Sequence, residues 1–188
     1  MQENIDFDQL KELAREHRFR ELRAILVEMN EVDIAEFLES LEDRELLVLV
    51  FRLLPKSMAA DIFTYLEDSD IQEQLINDLT DTELKAVISD LYLDDAVDII
   101  EDMPANVVSR ILRNTDPSTR SQINELLSYP KDSAGSIMTP EFVTLHKDAT
   151  VEQSFARIRK IGIDRETVYT CYVTENRVLI GVVTVRRM

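Results

Sequence analysis

Along the first 130 residues, apolar positions recur at spacings of three and four, as at Leu10, Leu13 and Ala14 and again at Ile34, Phe37, Leu38 and Leu41. That spacing predicts amphipathic helices, each burying one stripe. The stretch has no glycine, and its prolines (Pro55, Pro104, Pro117 and Pro130) punctuate the pattern rather than interrupt it. A longer period lies on top. An apolar residue followed by turn or capping residues closes a segment at Leu41, Leu54, Leu66, Leu79, Leu91 and Met103, and Thr115 continues the series. The intervals are 12 or 13 residues. Each fits a helix of about two turns plus a short connector, so two units make a helical hairpin. Thr80 with Glu83 forms a capping-box pattern, and Asp116 sets a cap ahead of Pro117 at a first helical position. Helices this short are marginal alone and must bury their stripes on neighbours. The pattern therefore predicts an all-α superhelix of short stacked helices, with its hand left open.

After Tyr129 and Pro130 the texture changes. Residues 132–136 (DSAGS) read as a turn, and Ile137-Met138-Thr139-Pro140 leads into an apolar run from Phe142 to Leu145. Thr150 caps a helix expected from Val151 to Ile161, with Val151, Phe155 and Ile158 on one face. Two β-rich runs follow, Val168 to Thr174 and Val178 to Val185, joined tightly through Glu175-Asn176-Arg177. The order is β-α-β-β, a partial α+β unit. Met188 follows directly on a strand where a second helix would be needed to cover the sheet, so the chain reads as a piece of a longer protein. The expected division is 1–130, acidic and helical, and 131–188, the partial α+β domain.

Charge supports that division. Residues 1–130 hold 30 Asp and Glu against 12 Lys and Arg, whereas residues 131–188 hold 7 against 9. A body this acidic repels phosphate backbones and argues against nucleic acid as a partner. It attracts cations or basic surfaces, although most of its carboxylates only solvate helix faces. Cys171, the single cysteine, sits in a β-like run and reads as a buried structural thiol. His17 and His146 lie far apart in sequence and read as surface residues, so no zinc-type cluster is expected. The polar, acidic N-terminus is unlike a signal peptide. The longest apolar run, Leu46 to Phe51, is far short of the ~20 residues that span a bilayer, so no direct membrane insertion is expected. With no nucleophile–base constellation and no glycine-rich phosphate loop, the chain does not read as an enzyme.

Residues 126–145, LLSYPKDSAGSIMTPEFVTL, resemble the junction between the N domain and the first CBS domain of MgtE-type Mg²⁺ channels. Ser136 stands where that junction commonly has glycine. The segments 53–62 (LLPKSMAADI), 91–100 (LYLDDAVDII) and 166–173 (ETVYTCYV) resemble further landmarks of the family in the same order. The resemblance implies an incomplete first CBS domain at 131–188. It also implies a homodimeric channel whose cytoplasmic N and CBS domains bind Mg²⁺ between them, shutting a pore in transmembrane helices that lie beyond this chain. Its N-domain ligands fall on Asp94 and Asp98, and on Asp61 where the family has glutamate. On spacing alone, Asp94 and Asp98 share a helix face one turn apart, while Asp95 is the weaker candidate. Solvation of a helix start is the competing explanation of the acidic pair. The family's remaining ligands lie mainly beyond Met188, so weak Mg²⁺ binding is expected of this piece alone.

CBS domains often bind adenosine ligands through Gly-h-h-(Ser/Thr)-x-x-Asp. Here residues 181–187 match through Thr184 and then place Arg187 where the ribose-binding acid belongs. Arginine cannot accept a hydrogen bond, so no nucleotide site is assigned. Two rival readings remain: a helical adaptor that binds protein, favoured by the repeat, and a CBS-regulated enzyme.

Overall fold

The computed structural model describes residues 6–162 and 165–188. Ten helices come first: α1 (Phe7–Arg15), α2 (Phe19–Leu26), α3 (Glu31–Glu39), α4 (Arg44–Leu53), α5 (Lys56–Thr64), α6 (Ser69–Asp78), α7 (Asp81–Asp90), α8 (Leu93–Glu101), α9 (Ala105–Asn114) and α10 (Pro117–Leu126). Most have nine or ten residues, closer to three turns than to the two expected. The residues that close the sequence repeat sit at helix ends. Leu54, Leu79, Leu91 and Thr115 are the C-cap residues of α4, α6, α7 and α9.

Starts are equally local. Asp6, Asn30, Asp43, Asp68 and Thr80 each accept backbone N–H bonds of the helix that follows, and Thr80 with Glu83 completes a capping box. Asp116 accepts from the Ser118 hydroxyl (2.5 Å) and from the N–H groups of Ser118 (2.9 Å) and Thr119 (3.2 Å). The side-chain hydrogen bonds of Ser118 and Thr119 first, then these N–H groups, hold its carboxyl far below the usual range.

Two compact units result: residues 1–91 with 95–121, and residues 92–94 with 122–188. In the first, α3 packs on α5, α5 on α7 and α7 on α9, so alternate helices form one row. Phe37, Leu38, Leu47, Val50, Ile62, Leu75, Ile76 and Leu84 are fully buried between them. This is the stack of short helices that the repeat predicts.

The second unit has a three-stranded sheet in the order β1-β2-β3. Strand β1 (Phe142–His146) runs parallel to β2 (Thr167–Glu175), with α11 (Val151–Ile161) crossing between them. Strand β3 (Val178–Thr184) returns antiparallel through Asn176 and Arg177, both at positive φ (50° and 67°), the geometry of a tight twisted hairpin. Val185, expected to end the strand, belongs instead to a 3₁₀ turn at Val185–Arg187. Val143, Leu145 and Cys171 form the small core, backed by Ile158, Ile161, Val168 and Val183. Burial pushes the Cys171 thiol up from its ordinary value, as for an inert packed thiol.

The junction segment explains one glycine. Gly135 lies in a 3₁₀ turn (Ala134–Ser136), and a Cβ there would meet the Tyr129 ring at 2.4 Å. Gly135→Ala must therefore displace that ring. The expected loss is about 1–2 kcal/mol, read by thermal melting with tyrosine fluorescence; an unchanged melt and spectrum would show that the ring does not depend on this contact. Ser136, in the glycine position of the resemblance, donates from Oγ to the Ser133 carbonyl (3.0 Å).

Candidate functional site

Helix α8 carries most of the candidate chemistry. Its sequence LDDAVDIIE buries Leu93, Ala96, Val97, Ile99 and Ile100, which leaves the aspartates to the remaining face. Asp94 and Asp95 are half-buried, and Asp98 is exposed. Asp98 is nonetheless drawn partly out of water. That burial first, then the charges of Glu101 and Asp102, raises its carboxyl above the ordinary range.

A cavity of about 190 Å³ opens beside α8 within the first unit. Asp95, Asp98 and Asp102 line it from one side, at the spacings of three and four that put side chains on one helix face. Thr64, Leu66, Glu67 and Gln72 line it from the other. Gln72 is buried there and fixed, its Nε2 donating to the carbonyls of Phe63 (3.3 Å) and Leu66 (3.0 Å). Glu67 is placed by its backbone, whose N–H donates to Glu39 Oε1 (2.6 Å).

Asp61 belongs to different surroundings. It lies on α5, exposed on the face opposite Ile62 and Phe63, and its acidic neighbours are Glu31 of α3 and Asp90 of α7. Burial first, then those two charges, raises its carboxyl also. The acids that act on Asp98 are Glu101 and Asp102 instead. The structure thus keeps Asp98 with Asp95, which spacing had set aside, and places Asp61 with another acidic group. Among the described residues no group of three or more acidic, histidine or cysteine side chains converges tightly enough to hold a metal ion.

The donors do suit a hard cation. Every charged group at the α8 cavity is a carboxylate, and Thr64, Ser69 and Gln72 are the uncharged polar groups beside them. Mg²⁺ keeps several of its waters and is usually held by one or two carboxylates, so a wide, purely acidic rim fits a hydrated ion better than a bare one. Spacing along α8 and the residue after it could have signalled Asp95 and Asp102. Glu67 and Gln72 come from the α5–α6 connection and α6, and only the helix stack brings them there. Within the second unit, Glu141 of the MTPE run accepts from the Leu93 backbone N–H (2.8 Å).

Residues 29–132 match the family model described as the MgtE intracellular N domain, and residues 134–188 match that of the CBS domain. The chain belongs to the MgtE family. It is 32% identical over 172 residues to the magnesium transporter MgtE of Thermus thermophilus, covering 89% of this chain and 38% of that protein. It is 23% identical over 202 residues to the magnesium transporter MgtE of Bacillus subtilis, covering 99% of this chain and 42% of that protein. The chain thus spans about two fifths of these MgtE relatives' length.

A solved structure described as the cytosolic domain of the Mg²⁺ channel MgtE in complex with ATP aligns with TM-score 0.86 and 31% identity, over 96% of this chain and 74% of that one. A second, described as the soluble part of a magnesium transporter, aligns with TM-score 0.82 at 24% identity, over 96% and 71%, and shares the fold. The chain therefore corresponds to the cytosolic part of MgtE, a helical N domain followed by a partial CBS domain. Among the described residues no helix is long and apolar enough to cross a membrane.

Proposed function

We propose that this chain is the Mg²⁺-sensing part of a magnesium channel or transporter on the cytoplasmic face of the membrane. Mg²⁺ bridges acidic N-domain surfaces, through Asp61, Asp94 and Asp98, to a CBS surface and so favours the closed pore. The full-length protein is a homodimer in this reading, with its CBS and transmembrane domains as this chain's partners. The N and CBS parts divide near residue 130. The observation that carries the proposal is the acidic rim that Asp95, Asp98 and Asp102 set along one side of a cavity, where burial, then the charges of Glu101 and Asp102, pushes the Asp98 carboxyl upward. Such a group gains from a nearby cation, and so does Asp61 beside Glu31 and Asp90. Salt screens exposed charges beyond about 8 Å at physiological strength, so the relief comes only from an ion held close by.

Two measurements on this chain test the reading. Calorimetric titration with MgCl₂ is expected to show weak, millimolar binding, because the acidic face supplies only part of a ligand set. A micromolar site would contradict the division of ligands between this chain and the rest of the protein.

The second measurement is stability against pH. A carboxyl whose folded value is raised binds its proton more tightly folded than unfolded, so its ionisation disfavours the fold. Asp98→Asn removes that cost. The variant should melt higher at pH 7, by at most about 0.5 kcal/mol for so exposed a site. The gain should shrink as pH falls through the raised carboxyl value and vanish below the ordinary value of 3.8. Millimolar Mg²⁺ should narrow the gap at pH 7 by stabilising only the aspartate form. A variant less stable than the parent at every pH would show that Asp98 serves the fold.

A further inference from the structure

The first unit has a second cavity of about 230 Å³, between α4, α5 and α7, whose chemistry is opposite to the acidic one. Its wall is apolar, formed by Phe51, Leu54, Ala59, Leu79, Ala86 and Val87. The two alanines leave the space that larger side chains would fill. Three charged groups line the same cavity: Arg52, Lys56 and Glu83.

The hydrogen-bond account of those three decides what fits. Glu83 is fully engaged. Its Oε1 accepts from Arg52 Nε (3.0 Å), and its Oε2 accepts from the Thr80 N–H (2.8 Å), the Thr80 hydroxyl (2.9 Å) and Arg52 Nη2 (3.3 Å). Those bonds hold its carboxyl below the usual range, so it stays ionised and committed. Arg52 Nη2 also donates to the Asp78 carbonyl (3.1 Å). Among the described residues, Arg52 Nη1 and the exposed Lys56 ammonium have no acceptor within hydrogen-bond distance. The spare polar capacity at this cavity is donor-only and carries net charge +1, in a body rich in acid.

An apolar recess with a few polar groups at its edge is the usual form of a small-molecule site. Surplus donors of positive charge select an acceptor anion. We propose that this cavity binds a small amphipathic carboxylate, its hydrocarbon body between Phe51, Ala59 and Val87 and its carboxylate on Lys56 and Arg52 Nη1. The site is separate from the acidic cavity at Asp98 and shares no lining residue with it. A short straight-chain carboxylate suits a recess of about 230 Å³ and sets the choice of probe.

The test is ¹H–¹⁵N correlation NMR of the whole 188-residue chain, titrated with sodium octanoate, octylamine or 1-octanol. Octanoate should give saturable shifts confined to amides of α4, α5 and α7, and octylamine none there. Lys56→Met, at an exposed position, keeps the fold and should weaken octanoate about tenfold, the effect expected of one lost charge-assisted bond. Ala86→Leu should fill the recess and abolish the shifts; unchanged amide dispersion would show that this variant is folded. Equal binding of octanoate and octylamine, undiminished binding by Lys56→Met, shifts spread over the chain, or no shift at millimolar octanoate would each overturn the proposal.

Discussion

Arg110→Met should lower the stability of the helical unit by about 2–3 kcal/mol, read as a lower urea midpoint at unchanged slope. Arg110 projects from α9 with its side chain 19% exposed and closes the C-terminal end of α6. Its guanidinium donates to the carbonyls of Ile76, Asn77 (2.7 Å) and Leu79 (2.5 Å) and to Asp81 Oδ1 (3.2 Å). The last carbonyls of a helix have no partner within it, and the negative end of its dipole favours a cation. One planar fork therefore satisfies three such groups and ties α9 to α6. Methionine keeps the apolar stem in place, so the loss isolates the fork. Arg110→Lys should recover only part of it, since an ammonium cannot match the planar geometry. A loss below about 0.5 kcal/mol would mean that water satisfies these carbonyls equally well.

The second large effect concerns the proposed Mg²⁺ response. In a full-length MgtE protein carrying this chain, Asp94→Asn with Asp98→Asn should shift the midpoint of the Mg²⁺ response upward about tenfold or more, because charge count sets much of the affinity for a hard cation. The variant should also be less expanded in chelator. Burial first, then repulsion from Glu101 and Asp102, raises the Asp98 carboxyl, and neutral amides remove that repulsion as well as the ligands that Mg²⁺ would use. An adaptor that binds only protein would show neither change. The double variant distinguishes these roles because repulsion and ligation are lost together.

Much of the helical unit was legible because its determinants are local. The closing residues Leu54, Leu79, Leu91 and Thr115 became C-caps, and Thr80 with Glu83 became a capping box, since caps and stripes act within a few residues. The β-α-β-β order was legible for the same reason, down to the Asn176-Arg177 turn.

The site was harder to read. Asp94, Asp98 and Asp61 came from a resemblance, and residue spacing alone could not tell a ligand from a solvated helix face. The rule that pairs Asp94 with Asp98 also pairs Asp95 with Asp98 at three residues, and Asp95 lines the cavity beside Asp98. Glu67, Gln72 and the Arg110 fork depend on which helix packs beside which. Arg110 reaches carbonyls 31 to 34 residues away, a distance that no local pattern encodes.

The most direct test is small-angle scattering from a full-length MgtE protein carrying this chain, in chelator and in millimolar Mg²⁺. The expected result is a smaller radius of gyration with Mg²⁺, and a response that Asp94→Asn with Asp98→Asn removes at the same concentration. Identical profiles in the two conditions would contradict the assignment of this chain as a Mg²⁺ sensor.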